Sequence, residues 1–334
     1  MTTARPLMKH HAPWQDSETL PTAWVEPQRG TAARVREIVE GLYAPDACLS
    51  PKFLYDSLGS RLFEAITELP EYYPTRTEMA LLNRHVGAIA QAAGEYATVI
   101  ELGAGNCDKA AKLLGALKPA QYVAIDISAQ FLEAQLSALK RAHPEVQMIG
   151  VGADLTAGIR LPETVNSDRR LFLYLGSSIG NFDPDQALDL LSDIREHCGP
   201  GGGLLIGADM VKSLEVMQAA YDDALGVTAA FNLNVLNHVN ALIGSDFDVR
   251  DWRHRATFNA AQSRMEMHLE ARRDVLVAWH GGSRHFRKGQ RIHTENSYKY
   301  LLGDFKTLLR EAGFRHVNAW TDDQQWFAVC HAIP

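Results

Sequence analysis

Residues 99–114 read VIELGAGNCDKAAKLL, and this stretch decides the fold. The chain passes from a short apolar run through Gly103 and Gly105 into a segment whose apolar residues have helical spacing. A strand that ends in Gly-x-Gly before a helix lets the backbone approach a ligand closely, as in the first turn of a doubly wound sheet. The sequence therefore predicts a strand, a glycine turn and a helix at this point.

The same alternation of strand and helix extends from Thr98 to Val211. The predicted strands read TVIEL (98–102), QYVAIDI (121–127), VQMIGVGADL (146–155), RRLFLYLG (169–176) and GGLLIGADM (202–210), and helical patterns follow the first, second and fourth of them. Repeated βαβ units predict an α/β fold with a parallel, doubly wound, Rossmann-like sheet. Ligands of such sheets bind at the carboxyl ends of the strands.

A second structural unit is predicted after Val211, where the alternation stops. Residues 213–244 have helical patterns, and residues 256–279 alternate as in a hairpin of strands. A helix that stops at Gly313 and two strands then return the chain to the first sheet. We therefore predict a flexible arm over 1–30, a Rossmann-like domain over 74–212 and 298–334, and an inserted α+β substrate-binding domain over 31–73 and 213–297.

Composition excludes several classes of function. The chain has 334 residues, 46 % of them hydrophobic, and a formal net charge of -7 without the basic stripe that nucleic acids require. Its cysteines lie far apart, and its histidines lack metal-ligand spacing. No segment approaches the roughly 18 consecutive apolar residues of a membrane span, and the start has no apolar signal region. We expect a cytoplasmic, monomeric protein with no metal, no nucleic-acid partner and no membrane association.

The glycine turn predicts a nucleoside cofactor without phosphates. Asp126 follows the turn by about 20 residues, at the position where an acidic side chain binds ribose hydroxyls in such folds. Asp108 stands where dinucleotide-binding turns have a third glycine, and its carboxylate would repel a pyrophosphate. S-adenosylmethionine has a ribose and no phosphate, so it suits the turn better than a nicotinamide dinucleotide does. A purely structural tight turn is the alternative.

Two further features lie at the ends of predicted strands. Asp154 is a candidate to bind the amino group of adenine, although an aspartate at this position is as often a helix cap. The loop LYLGSSIGNFDP (173–184) is polar and contains glycines, and it lies where the methyl acceptor of a transferase would bind. An ordinary turn before a helix that begins at Pro184 is the alternative.

Seven motifs are distributed along the chain from about residue 30 onward. They read YDSLGSRLFEAITELPEYYPTRTE (55–78), ELGAGNCDK (101–109), YVAIDIS (122–128), LGSSIGNFDP (175–184), YDDALGVTAAFN (221–232), RMEMHL (264–269) and HTENSYKY (293–300). Together they closely resemble the histidine Nα-methyltransferase family of ergothioneine biosynthesis, whose central domain is a class I methyltransferase fold. The resemblance implies transfer of three methyl groups from S-adenosylmethionine to the α-amine of L-histidine, which gives hercynine.

The resemblance also implies site residues, motif by motif. For the cofactor these are Tyr55, Gly103, Lys109, Asp126, Asp154 and Leu155. For the substrate they are Tyr73 and Tyr221 as a carboxylate clamp, Asn181 and the Gly176 backbone for the amine, Met267 for the pocket wall, and Glu295 with Ser297 for the imidazole. Asn181 is the catalytic residue in this assignment, because it would orient the reacting amine.

Positioning does most of the work in such a displacement, since the amine lone pair must point at the sulfonium methyl. The α-ammonium must first lose a proton, and no residue of the sequence is marked as the base that accepts it. The methylated intermediates keep a positive charge. Tyr72, Tyr73 and Phe182 are therefore candidates for cation–π contacts, with core packing as the alternative.

Glu295 is the residue on which substrate choice most depends, because an imidazole N–H needs a hydrogen-bond acceptor. An ion pair with Lys299, four residues on, is the alternative for this carboxylate. Asn296 stands where better-characterised members of the family have an aliphatic residue, and we expect it to reshape the imidazole pocket. The remaining alternatives are N-methylation of another aromatic amino acid, such as tryptophan or tyrosine, and a non-catalytic S-adenosylmethionine-binding protein.

Overall fold

The computed structural model describes residues 24–25, 31–94 and 96–334. The strands are β1 (Trp24–Val25), β2 (Ala47–Cys48), β3 (Thr98–Leu102), β4 (Gln121–Asp126), β5 (Gln147–Gly152), β6 (Arg170–Tyr174), β7 (Gly203–Asp209), β8 (Trp252–Asn259), β9 (Arg264–Ala271), β10 (Val275–Trp279), β11 (Gly282–Phe286), β12 (Arg291–Tyr298), β13 (His316–Thr321) and β14 (Phe327–Ile333). The α-helices are α1 (Thr31–Tyr43), α2 (Ser57–Thr67), α3 (Tyr73–Ala93), α4 (Asp108–Leu117), α5 (Ala129–Ala142), α6 (Pro184–Cys198), α7 (Leu214–Tyr221), α8 (Val227–Ile243) and α9 (Leu302–Glu311). Short 3-10 helices span Pro51–Leu54, Leu155–Ala157, Ser178–Asn181 and Val249–Asp251.

Eight strands form the central sheet, in the order β1-β5-β4-β3-β6-β7-β14-β13. The neighbours from β1 to β7 run parallel, whereas β14 runs antiparallel to both β7 and β13. The strand order reverses between β3 and β6, and a ligand crevice is expected at the carboxyl ends of these two strands. The sheet confirms the predicted α/β class and its doubly wound, Rossmann-like topology.

Local chemistry explains the middle of the central sheet and its C-terminal strands. All five residues of β3 are buried, as a parallel strand covered by helices on both faces requires. The turn that follows has positive φ angles at Gly103 and Gly105, and α4 begins directly after it. Near the C-terminus, α9 ends just before Gly313, whose φ of 96° favours a residue without a Cβ. The strands β13 and β14 then complete the sheet, as the sequence predicted.

A second sheet has the order β2-β12-β9-β8, and β10 with β11 forms a separate hairpin. One hydrophobic core joins Leu42 of α1, Phe231 of α8, Trp252 of β8 and Phe286 of β11. The predicted helices after Val211 and the predicted hairpin of strands are therefore confirmed, and they pack with the helix that begins at Thr31. The boundaries of the two domains stay a prediction.

Trp24 and Val25 differ from the predicted flexible arm, because they pair as a strand with Gly150 and Val151 of β5. Both residue types favour β structure, and β5 would otherwise be the edge of the sheet. The rest of the predicted arm, residues 1–23 and 26–30, lies outside the described residues. None of the helices that the structure describes is long and apolar enough to cross a membrane.

Candidate active site

Two adjoining cavities lie at the carboxyl ends of the central strands. The larger has a volume of about 1050 Å³ and is lined by the glycine turn after β3 and by the end of β4. The smaller has a volume of about 50 Å³ and lies between the loop after β6 and the strands β9 and β12. The residues that line both are Tyr55, Phe63, Tyr72, Gly176, Ser178 and Asn181. The two cavities therefore meet beside the loop that was predicted to hold the methyl acceptor.

All residues predicted for the cofactor line the larger cavity, namely Tyr55, Gly103, Lys109, Asp126, Asp154 and Leu155. The glycine turn leaves room for a ligand, because a Cβ added at Gly103 or Gly105 would have no atom within 4 Å. Both glycines have positive φ angles, 66° and 52°, which residues with a Cβ rarely adopt. The backbone is thus open and closely approachable at the place where a nucleoside is predicted.

Asp126 is fixed at the end of β4 by the turn itself. Its Oδ2 accepts a hydrogen bond from the Gly105 N–H at 2.9 Å, and its Oδ1 accepts one from the Ser128 N–H at 2.9 Å. Burial raises the pKa of this carboxyl above its ordinary value, and the backbone N–H groups partly offset the effect. Backbone N–H groups of Gly105, Ile127 and Ser128 leave this carboxylate about one further acceptor position, which suits a ribose hydroxyl. Asp108, the first residue of α4, lines the same cavity and fits a cofactor without a pyrophosphate.

Asp154 caps a short helix, as the alternative predicted, and it also lines the larger cavity, where its role toward adenine stays a prediction. Its Oδ1 accepts from the Thr156 N–H at 3.0 Å, and its Oδ2 accepts from Lys52 Nζ at 2.8 Å. Burial alone would raise the pKa of Asp154, but Lys52 and Thr156 bring it below its ordinary value. Lys52 in turn contacts Glu37 at 2.6 Å. Sequence reasoning missed Lys52, which joins α1 to the cofactor side of the site.

A buried glutamate, Glu78, contacts one residue that lines the larger cavity and one that lines both cavities. The Glu78 side chain is fully buried in α3, and its Oε2 lies 2.8 Å from Lys109 Nζ. The same carboxylate accepts from the Gly176 N–H at 2.8 and 3.0 Å. Because this N–H is occupied, the carbonyl oxygen of Gly176 is the backbone group left to face an amine. Glu78 was not identified from the sequence. A glutamate at an apolar position of a helical pattern could have indicated a buried, paired carboxylate.

Glu295, Ser297 and Lys299 all line the smaller cavity. Alternate residues of a strand share a face, so the end of β12 presents these three side chains together. A register shift between His293 and Glu295 marks a bulge directly before them, and bulges re-aim side chains beside functional sites. Met267 of β9 lies opposite Glu295 and lines the same cavity. The structure therefore brings together the residues predicted for the imidazole and the pocket wall.

Burial dominates the chemistry of Glu295. The pKa of its carboxyl is raised to about 7 by burial, an effect that Lys299 partly offsets. Within the part of the chain that the structure describes, no hydrogen bond or ion pair reaches this carboxylate. The proposed ion pair with Lys299 is wrong, since Lys299 Nζ lies 2.8 Å from Oδ2 of Asp209 instead. The Glu295 side chain is therefore available to a ligand in the cavity.

A cluster of charged side chains, here called the Asp209 cluster, consists of Asp209, Lys212 and Lys299, and the first and last of these line the smaller cavity. All three side chains are at most 1 % exposed, and Lys212 Nζ lies 2.5 Å from Oδ1 of Asp209. Burial would lower the pKa of Lys299, yet Asp209 raises it above its ordinary value. Burial lowers the pKa of Lys212 to about 8, and Asp209 limits that shift. Sequence reasoning missed this cluster, which joins the end of β7 to the end of β12.

The two predicted clamp tyrosines lie in different surroundings. Tyr221 lines the smaller cavity, and its hydroxyl donates to Ser297 Oγ at 2.6 Å. Tyr73 does not line it, because its hydroxyl donates to Asp209 at 2.6 Å and accepts from Lys212 at 2.8 Å. Its neighbour Tyr72, just before α3, lines both cavities. The geometry therefore favours Tyr72 over Tyr73 as the tyrosine that faces the substrate.

Asn181 ends the 3-10 turn after β6 and lines both cavities. Gly180 lets this turn pack closely on β12, since an added Cβ would lie 2.9 Å from the carbonyl oxygen of Tyr298. Asn296 lies on the other face of β12 and lines the larger cavity, where its amide contacts His293 at 2.8 Å. Adjacent strand residues point to opposite faces, and Asn296 does not line the smaller cavity, so a direct effect on an imidazole there is not expected from its position.

Comparisons with known proteins agree with this site. A family model described as "Histidine-specific methyltransferase, SAM-dependent" matches residues 34–333. The chain is 38 % identical over 304 residues to "Histidine N-alpha-methyltransferase" of Mycolicibacterium smegmatis, which covers 89 % of this chain and 94 % of that protein. It is 37 % identical over 306 residues to a protein of the same name from Mycobacterium tuberculosis, which covers 90 % of this chain and 94 % of the relative.

A longer fungal protein also matches. "Ergothioneine biosynthesis protein 1" of Neurospora crassa is 34 % identical over 80 % of this chain, a region that makes up 31 % of the fungal protein. Among solved structures, a methyltransferase from Streptomyces caelestis is similar with a TM-score of 0.46 and 15 % identity, over 84 % of this chain and 99 % of that one. The family match spans both cavities and defines S-adenosylmethionine as the cofactor. The chain belongs to the histidine-specific, S-adenosylmethionine-dependent methyltransferases.

Proposed function

We propose that the protein transfers three methyl groups to the α-amine of L-histidine and so forms hercynine, the first step of ergothioneine biosynthesis. The observation that carries this proposal is the buried Glu295 carboxylate in the smaller cavity, which meets the nucleoside-sized cavity beside Asn181. A buried carboxylate without a partner is costly unless a ligand donor satisfies it. The N–H of an imidazole is such a donor.

The lining residues account for each part of histidine. The imidazole N–H would donate to Glu295, and its second ring nitrogen would accept from Ser297. The α-carboxylate would lie near Tyr72, which lines both cavities, because the hydroxyl proton of Tyr221 is already donated to Ser297. The α-amine would then lie at the junction of the cavities, between the side-chain amide of Asn181 and the carbonyl oxygen of Gly176. This pose directs the amine toward the larger cavity.

S-adenosylmethionine supplies an electrophilic methyl on its sulfonium, and Tyr55, Lys109, Asp126, Asp154 and Leu155 would hold it in the larger cavity. The chain's own contribution is orientation, which is the main source of rate in a displacement of this kind. Before each of the three transfers the ammonium nitrogen releases one proton, so that its lone pair can attack. In the transfer an N–C bond forms and the S–C bond breaks, with its electron pair left on the sulfur. Three protons are released in all, and the trimethylated nitrogen keeps a permanent positive charge.

The amine proton is proposed to leave to water through the larger cavity. The residues that line both cavities contribute hydroxyls, an amide, aromatic rings and backbone, and none of those six is a histidine, lysine or carboxylate. The aromatic rings of Tyr55, Phe63 and Tyr72 line the junction of the cavities, so they would surround the methylated, positively charged nitrogen. Cation–π contacts there would stabilise it by up to about 2 kcal/mol once water is excluded.

An acceptor screen tests the proposal. The purified protein is incubated with S-adenosylmethionine and each of the twenty amino acids, and the products are read by mass. Histidine is expected to gain three methyl groups; a gain on tryptophan or tyrosine alone, or on no amino acid, contradicts the proposal. The Glu295→Ala variant is expected to lose histidine turnover far more than cofactor binding. Equal loss of both would remove the role assigned to Glu295.

We propose that the enzyme is cytoplasmic and acts as a monomer on a free amino acid. Its widely spaced cysteines are all free, which suits a reducing compartment. Sedimentation of the purified protein checks the oligomeric state. A dimer that loses activity on dilution would contradict the proposal.

A further inference from the structure

We propose that Lys299 is a positioning residue. It donates to the hydroxyls of Tyr221 and Ser297, here called the hydroxyl pair, and so leaves the Ser297 proton to donate a hydrogen bond to the substrate ring. The inference rests on the proposed function, since it concerns how the site recognises an imidazole. It assigns a role to a buried lysine that the methyl-transfer chemistry itself does not use.

The first step of the argument is the bonding of the Lys299 ammonium. Its side chain is fully buried, and Nζ lies 2.8 Å from Oδ2 of Asp209, 2.8 Å from the Tyr221 hydroxyl and 2.8 Å from Ser297 Oγ. An ammonium has three N–H donors and no acceptor, so all three donors are used and their direction is fixed. Both oxygens of the hydroxyl pair must therefore accept from Lys299.

The second step is a count of protons. The Tyr221 hydroxyl donates to Ser297 Oγ at 2.6 Å, so Ser297 Oγ accepts from both Tyr221 and Lys299. A serine hydroxyl has one proton and two acceptor positions. With both acceptor positions occupied, the Ser297 proton is left to donate, and no acceptor for it is found in the described part of the chain. Ser297 lines the smaller cavity, so this proton is offered to a ligand there.

The third step is the complementarity with Glu295 two residues earlier on the same strand face. Glu295 offers an acceptor and Ser297 offers a donor, and a neutral imidazole presents one N–H and one lone pair. A ring with an N–H and no second nitrogen would leave the Ser297 proton without an acceptor, which costs about a tenfold loss of affinity. Lys299 is thus expected to determine the preference for a ring with an acceptor nitrogen.

The chain offers a matched control in Lys212. It is another lysine with a side chain about 1 % exposed that contacts Asp209, but its other bonds go to the Tyr73 hydroxyl and the Met210 carbonyl. Replacing Lys212 therefore disturbs the same buried carboxylate and leaves the bonds of the hydroxyl pair in place. After either replacement Asp209 keeps one lysine and the Tyr73 hydroxyl as partners.

The test compares the affinity of histidine with that of the two pyrrolylalanine isomers, which keep a ring N–H and lack the second ring nitrogen. Dissociation constants are measured by calorimetry with S-adenosylhomocysteine present, so that no turnover occurs. The wild-type protein is expected to prefer histidine by about tenfold. Lys299→Met and Ser297→Ala are expected to reduce the preference to less than about threefold, whereas Lys212→Met retains it.

A general loss of structure would weaken the binding of histidine and of both pyrrolylalanine isomers equally. The ratio of their dissociation constants would then stay unchanged, so this ratio reports on the Ser297 donor alone. The double variant Ser297→Ala/Lys299→Met is expected to show the same ratio as Ser297→Ala alone. The inference is overturned if Lys299→Met keeps the full preference, if Lys212→Met loses it to the same extent, or if the wild-type protein binds histidine without preferring it. A wild-type protein that neither binds nor methylates histidine would instead contradict the proposed function.

Discussion

The ammonium of Lys109 lies 2.8 Å from Oε2 of Glu78, a carboxylate with no exposed surface. Lys109 belongs to the helix that follows the glycine turn, whereas Glu78 also accepts from the backbone N–H of Gly176. The cofactor side and the acceptor loop therefore share one buried carboxylate. A change at Glu78 is expected to affect both sides at once.

We expect Glu78→Gln to lower the free energy of unfolding by about 3 kcal/mol, because it leaves the ammonium of Lys109 without its counter-charge in a largely buried place. It should also weaken binding of S-adenosylhomocysteine and of histidine together. Urea unfolding and calorimetry measure these effects. Glu163→Gln, a change at an exposed glutamate, is the control. Equal stability of the two variants would show that the ion pair contributes nothing.

The raised pKa of Glu295 predicts a pH dependence of stability. Its pKa of about 7 in the folded protein lies above the ordinary 4.5, so the folded state keeps a proton that the unfolded state has lost. Stability should therefore fall as the pH rises from about 4.5 to about 7 and then stay level. The full effect is about 3 kcal/mol.

Urea unfolding of the wild type and of Glu295→Gln at about pH 4.5 and about pH 8 measures this effect. The variant should gain stability relative to the wild type as the pH rises. Glu266→Gln is the control of opposite sign: burial alone would raise the pKa of Glu266, but Asn259 and Arg264 bring it below its ordinary value. Its carboxylate stabilises the fold above the unfolded pKa, and that contribution is lost as the pH falls. If the difference in unfolding free energy between the wild type and Glu295→Gln does not change with pH, the pKa of Glu295 is not raised by burial.

Lys52→Met is expected to raise the dissociation constant of S-adenosylhomocysteine about tenfold. Lys52 bonds both Glu37 and Asp154, and its removal leaves two carboxylates near each other at the predicted adenine end of the cavity. The loss of one charge-assisted hydrogen bond is worth about 1.5 kcal/mol or more. Lys112→Met, on the exposed side of α4, is the control. Affinity that is unchanged in Lys52→Met would mean that Asp154 does not need this partner.

Gly180→Ala tests the close packing of the acceptor loop on β12. The added Cβ would lie 2.9 Å from the carbonyl oxygen of Tyr298, closer than such contacts allow, so the turn that ends at Asn181 must shift. Turnover of histidine should fall by at least about tenfold, because a displaced amine loses its alignment. Gly87→Ala is the matched control, since a Cβ there meets nothing within 4 Å. An Ala variant at Gly180 with wild-type turnover would rule out this constraint.

Local patterns were sufficient for the central sheet. The apolar strands, the glycine turn at Gly103 and the helix stop at Gly313 are each set by neighbouring residues, and all lie where the sequence predicted them. The motif resemblance named the candidate site residues. In the structure all the predicted cofactor residues, and all the predicted substrate residues except Tyr73, line the two adjoining cavities. Their roles stay predictions until the variants are measured.

Contacts between distant segments could not be predicted in this way. Asp209 and Lys299 are 90 residues apart, and the isolated bridge between Met210 and Tyr300, which follow β7 and β12, brings their charges together. Tyr72 and Tyr73 are neighbours in one motif, so no sequence pattern decides which of them faces the cavity. The start of α3 at Tyr73 separates their directions.

Asn296 tests how far strand alternation controls substrate choice. It lies between Glu295 and Ser297 in sequence but on the opposite face of β12, where its amide contacts His293 and Asp183. Asn296→Leu replaces the amide by an aliphatic side chain without reaching the smaller cavity. We therefore expect the variant to prefer histidine over tryptophan and tyrosine by the same factor as the wild type, with an effect on cofactor affinity alone. A changed ratio of kcat/KM values among the three amino acids in the acceptor screen would show that the two faces of β12 are coupled.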